Sequence, residues 1–242
     1  MPTISMFYGT RQSITFWFTV IIVGALVTCS VQGERVVTPL SVGFNSSLQY
    51  PASKDGVDVY GLRAGVWFNE YKNEQNSRID VYGVSLGLLV MAEYTNSRVA
   101  GIQLSSLYST ADTLHGIQLA CMNLADINGM QLACLWNGSN YLNGMQMAFC
   151  NCTTWGTGVQ IGVFNLVEDY ESLDADLSGI QLGAFNYALC INGLQIGAGN
   201  FSKDVSGIQL GIFNYAAHLK GLQIGLLNRH GDSYFPVLMV GW

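Results

Sequence analysis

Charge is the scarcest resource of this 242-residue chain: Asp, Glu, Lys and Arg make up 11% of it, while half is apolar and Gly numbers 28. Ordinary globular domains carry about 25% charged residues, so something other than surface charge must organise this one. Positive charge is scarcer still, with 10 Lys and Arg against 16 Asp and Glu and a net charge of −6. No basic stripe exists to meet a phosphate backbone, which excludes nucleic acid as a partner. The six cysteines contain no Cys-x-x-Cys pair, so zinc ribbons and thioredoxin-type chemistry have no basis. No cofactor motif is present.

Long hydrophobic runs are also missing. The longest, Ile14 to Val27, has about 14 residues where a membrane-spanning helix needs roughly 20. Arg11 precedes it, and Val31 and Gly33 stand at the −3 and −1 spacing of a signal-peptidase site, so residues 1–33 read as a leader cleaved before Glu34. A lipid-anchored start at Cys29 would want Gly or Ala where Thr28 stands. Without Cys29 five cysteines are left, and Cys121 and Cys134 fill equivalent apolar positions, as small hydrophobes do.

What the chain has instead is a repeat. Gly61, Gly83, Gly101, Gly116, Gly129, Gly144, Gly158, Gly179, Gly193, Gly207 and Gly221 open eleven related units, spaced 22, 18, 15, 13, 15, 14, 21, 14, 14 and 14 residues apart. The basic period is thus 14, with insertions. Two residues after the Gly, at position +2, stands Gln103, Gln118, Gln131, Gln146, Gln160, Gln181, Gln195, Gln209 or Gln223. Position +7 is Asn123, Asn151, Asn165, Asn186, Asn200, Asn214 or Asn228, and +4 is always Gly, Ala or Ser. Positions +1 and +3 are apolar and +5 nearly so, the two-residue alternation of a β-strand. The phase slips after +5, which predicts two short strands per unit, with corners near the Asn and at the Gly, a residue free to take positive φ.

The fold class is therefore all-β. A parallel β-solenoid, one coil per unit, stacks Gln on Gln and Asn on Asn in hydrogen-bonded ladders. The alternative is an up-and-down outer-membrane-type barrel of about 12–13 strands. The solenoid is favoured: a barrel alternates two kinds of turn, and Tyr215-Ala216-Ala217-His218 lacks the Gly, Asn or Asp of tight hairpins. Four to six apolar side chains per unit are expected to be buried, supplying ~10 kcal/mol against roughly 20 for ordering 14 residues, so a unit cannot fold alone. Residues 34–100 read as irregular or capping units, 101–234 as the regular array and 235–242 as a closing strand.

The units Gly193-Leu194-Gln195-Ile196-Gly197, Gly207-Ile208-Gln209-Leu210-Gly211-Ile212-Phe213-Asn214 and Gly221-Leu222-Gln223-Ile224-Gly225-Leu226-Leu227-Asn228 resemble the bacterial surface-repeat family first named from Leptospira. The resemblance extends to Val59-Tyr60-Gly61-Leu62, Val81-Tyr82-Gly83 and the closing Phe235 to Trp242, hence nearly the whole mature chain. It implies secretion and surface display, and nothing catalytic. The first units depart from the pattern: Arg63 and Ser85 replace Gln there.

Other motifs have plainer readings. Gly83-Val84-Ser85-Leu86-Gly87 matches a nucleophile elbow, but its Ser stands mid-strand in the Gln position. The run containing Glu168, Asp169, Glu171, Asp174 and Asp176 lies on an insertion, where carboxylates could gather a cation, though a solvated loop is the simpler reading. Asn45, Asn137, Asn151 and Asn200 head glycosylation-type triplets that arise mostly from the repeat. Tyr60, Trp67, Phe68, Tyr71, Tyr82, Tyr94 and Tyr108 crowd the first third; they could form a ligand platform or a membrane-interface belt, but core and cap packing is the default expectation. The expectation is a non-enzymatic, exported surface scaffold that presents loops to a partner or to another copy of itself, with a small outer-membrane pore or anchor as the alternative.

Overall fold

A computed structural model describes residues 17–22, 25–32, 35–45, 48–50, 56–69, 78–92, 97–168 and 175–242. Among them there is no helix. The strands are β1 (Trp17–Ile22), β2 (Ala25–Gln32), β3 (Arg35–Asn45), β4 (Leu48–Tyr50), β5 (Gly56–Asn69), β6 (Arg78–Ala92), β7 (Arg98–Ser105), β8 (Tyr108–Met147), β9 (Cys150–Val167), β10 (Asp176–His230) and β11 (Ser233–Gly241). No flat sheet could hold runs of 40 and 55 residues such as β8 and β10. They wind, each passing through several coils of one stack.

From β3 to β10 neighbouring coils pair in parallel. The register is the repeat itself: Gly83 pairs with Gly101, Gly101 with Gly116, Gln103 with Gln118, and Asn165 with Asn186. The sheet runs from β1 to β11 without closing on itself. The antiparallel barrel allowed by the sequence therefore does not form. Parallel stacking puts every polar column on its own kind, whereas antiparallel neighbours would set Gln at alternating heights.

One coil has two sides. In β6, Asp80–Gly87 pairs with β7, while Val90–Ala92 pairs with Tyr108–Thr110 of β8. The chain thus turns between +4 and +7, where pairing skips a residue between Gly183 and Phe185. The second turn is at the unit Gly. Gly101, Gly116, Gly193, Gly207 and Gly221 take φ of +138° to +149°, a region that disfavours side chains. A methyl group at Gly207 would also fall on the carbonyl oxygen of Gly193 in the coil before it.

The stack is closed at its C-terminal end by β11, which folds back antiparallel so that Met239 covers Gln223. At the other end β2 meets β3 antiparallel through Ser30↔Val37, Val31↔Val36 and Gln32↔Arg35, and β1 pairs with β2. β1 and β2 belong to the leader read from sequence; cleavage before Glu34 would leave β3 as the first coil.

The core departs from the sequence expectation of four to six buried apolar side chains per unit. In most regular coils one large aliphatic is buried two residues before the Gly: Val99, Leu114, Ile127, Leu142, Leu177, Ile191, Val205 and Leu219; Gly156 holds that place before Gly158, and Val167 and Leu189 are buried besides. With it go the Gln, the Asn and a small residue such as Thr153, Ala188, Ser202 or Ala216. The apolar residues at +1, +3, +5 and +6 point out. The alternation was legible, but its inner phase is the polar one.

Candidate interaction surface

The polar columns fill the interior. From Gln118 onward each Gln donates toward the N-terminal end: Gln118 Nε2 to Gln103 Oε1 at 2.9 Å, Gln160 to Gln146 at 2.9 Å, Gln195 to Gln181 at 2.7 Å, and Gln223 to Gln209 at 2.6 Å. The same direction holds for Gln131, Gln146, Gln181 and Gln209. The second amide hydrogen usually crosses the coil, as from Gln209 to the Tyr215 carbonyl at 3.2 Å. It ties the two sides together.

The Asn column runs the opposite way. Asn151 Nδ2 donates forward to Asn165 Oδ1 at 2.9 Å, Asn165 to Asn186 at 2.8 Å, Asn186 to Asn200 at 2.8 Å, Asn200 to Asn214 at 2.8 Å and Asn214 to Asn228 at 2.8 Å. Each also donates to the +3 carbonyl of the next coil, as Asn200 does to Leu210 at 2.9 Å. This explains the small residue at +4. A Cβ on Gly211 would come within 2.7 Å of Asn200 Nδ2.

A one-way column must end on an unused acceptor. Gln223 Oε1 ends the Gln column and Asn123 Oδ1 begins the Asn column, and both are buried without a partner. Counting seven from each Gly misses one member of the ladder. Asn137, displaced by the extra residue of its unit, accepts from Asn123 at 2.9 Å and donates to Asn151 at 3.1 Å. Its 14-residue spacing from both neighbours, counted from Asn to Asn, was the signal.

These columns account for several other motifs. Asn137, Asn151 and Asn200 are fully buried, so no glycan can reach them in the folded chain. Ser85 of the elbow-like motif is fully buried too, in register with Gln103. Arg63 is 1% exposed in the same column, between Ser41 and Ser85, with its guanidinium over the Phe68 ring at 4.3 Å. Tyr60 and Tyr82 stack at 4.7 Å on the surface, and Trp67 is exposed. Tyr71, Tyr94, Asp169, Glu171 and Asp174 lie outside the described residues. Glu168 and Asp176 flank that insertion; among the described residues no cluster of three or more His, Cys, Asp or Glu could hold a metal.

Two surfaces are left. On the polar side, a groove near the C-terminal end is lined by Asp176, Cys190, Asp204, His218, Lys220 and Trp242. Asp204 accepts from His218 Nδ1 at 2.7 Å and from the Cys190 thiol at 3.7 Å. Burial, then the Asp204 carboxylate, push the Cys190 thiol up, which disfavours its thiolate.

The other surface is a wall. Positions +1 to +6 of all eleven units contain one charged residue, Arg63, and that one points inward. Ile208 is 39% exposed, Phe213 52% and Leu226 73%, and Phe149, Phe164 and Phe185 stand in the open with ring centroids 5.6 Å apart in each successive pair. Comparison of the chain with protein-family models, curated proteins and solved structures finds no match.

Asn69 and Ala92, the last described residues before 70–77 and 93–96, stand in one column, since Asn69 pairs with Ala92 and Ala92 with Thr110.

Proposed function

We propose that the chain is an exported, non-catalytic scaffold of a bacterial surface, whose repeats build a rigid stack that binds through its uncharged apolar wall and presents loops for interaction. The wall carries this reading: monomeric proteins rarely expose contiguous apolar patches above about 300–600 Å² without a partner for them. Eleven coils ~4.8 Å apart, each presenting about six residues at ~3.3 Å, give roughly 1,000 Å². The polar residues that recur in the repeat support it from the other side, because their hydrogen bonds are spent within the stack. Pore formation would need a closed barrel, and this sheet is open. Export and the family resemblance rest on the leader and the repeat. The test is fractionation of the native cell with N-terminal sequencing and proteinase K treatment of intact cells. The expected result is a chain beginning at Glu34 in the envelope or medium and accessible to protease. A cytosolic chain that retains Met1 would overturn the proposal.

A further inference from the structure

We infer that the wall is covered by a second copy of this chain, packed sheet face to sheet face in a twofold dimer. This rests on the wall being the interaction surface and names what covers it. Area is the first argument. A face of roughly 1,000 Å² matches the ~800 Å² that each partner buries in an interface of standard size.

Charge is the second. A helix or face that lies on a membrane is usually bordered by Lys and Arg that reach anionic headgroups. Here the wall is bordered by the Gly column on one side and buried Asn on the other, and the chain's net charge is −6. An uncharged face does not repel its own copy, since the charges of Lys203, Asp204 and Lys220 sit on the second side of the coil. Shape is the third. Pleated faces whose side chains stand out at alternate positions interdigitate about 10 Å apart, and a face that meets itself closes as a symmetric pair.

The C-terminal edge offers a poorer contact. Pro236 lacks an N–H, Val237 has φ of 70°, and the register shifts between Gly225 and Asn228. These features blunt strand addition, so association through the face has no competitor there.

Sedimentation equilibrium of the purified chain tests this. A mass twice that of one chain at micromolar concentration is expected, falling to one chain in the double variant Ile196→Lys, Ile208→Lys, with its β-type circular dichroism spectrum unchanged. Ser206→Lys, on the polar side, should leave the dimer intact. A measurement without substitutions guards against misfolding: Cys134, exposed on the wall, should be alkylated several-fold more slowly at dimer-forming than at dilute concentrations. A wild-type chain that stays monomeric, or Cys134 alkylation independent of concentration in a dimer, overturns the inference. If the monomer co-sediments with phosphatidylcholine vesicles, the wall remains the binding face but its occupant is lipid. If the monomer binds neither itself nor vesicles, the proposed function falls as well.

Discussion

At the residue scale the buried amides matter most, because each is shared between two coils. Gln209 accepts from Gln223 and donates to Gln195, at 2.6 and 2.7 Å. Replacing it with Ala leaves a buried donor on one side and a weakened acceptor on the other, at a cost of about 1–3 kcal/mol. Gln195→Ala should cost a similar amount. Because the two side chains touch, the double variant should cost less than the sum of the singles. Urea unfolding of the four proteins measures this, and strict additivity with small single effects would contradict the ladder. The cysteines make a second prediction. Burial, then Glu168 and Cys150, push the Cys152 thiol up to about 11. Its thiolate is therefore scarce at pH 8 and grows only as pH approaches that value. In dilute protein, mass spectrometry should find Cys134 alkylated well before Cys152 at pH 8, with the gap narrowing toward pH 10 as the Cys152 thiolate fraction rises.

At the scale of one coil, the corners decide. Gly207 has φ of +146°, and a methyl group there would strike the Gly193 carbonyl. Gly207→Ala should lower stability by about 1–3 kcal/mol from backbone strain, before any repacking. Gly211 has no such φ, yet a side chain there meets Asn200 and Asn214. Gly211→Leu should cost about 2 kcal/mol or more by overpacking and by displacing the Asn column. Thermal melts order the variants, and an unchanged melting temperature in either would show that its corner has room. The end coil is a separate case. Removing residues 233–242 would strip β11 from Gln223 and the rest of the last coil, leaving an open parallel edge. That variant should assemble end to end into filaments visible by electron microscopy, since an unpaired edge is a template for another strand.

For the whole molecule, stability is a sum over coils and the contacts between neighbours. Deleting residues 193–206 removes one full period and joins Asn192 to Gly207, so Gln181 would meet Gln209 in the same column. This protein should fold with a modestly lower melting temperature and the same β-type spectrum. Deleting seven residues, 193–199, would bring Asn200 and Phe201 into the register of Gly193 and Leu194 and should abolish cooperative unfolding.

Much of this was legible in the sequence, because a stack forces each coil to meet its own likeness. The period, the Gln and Asn columns, the small +4 position and the corners all follow from residues recurring every 14. Asn137 was hidden only because an insertion moved it relative to its Gly. The choice of interior was not legible. Alternation marks two faces of a strand but not which is inside, and hydrophobicity alone points to Ile208 and Leu210 rather than Gln209. Parallel stacking settles it: a buried amide on an identical amide in the next coil is satisfied in both directions, so the polar face can be the core. The apolar face is then left outside. The sequence by itself determined the repeat, its columns and its β character; the tertiary structure decided which side faces in, because only the stack supplies each buried amide with its mate.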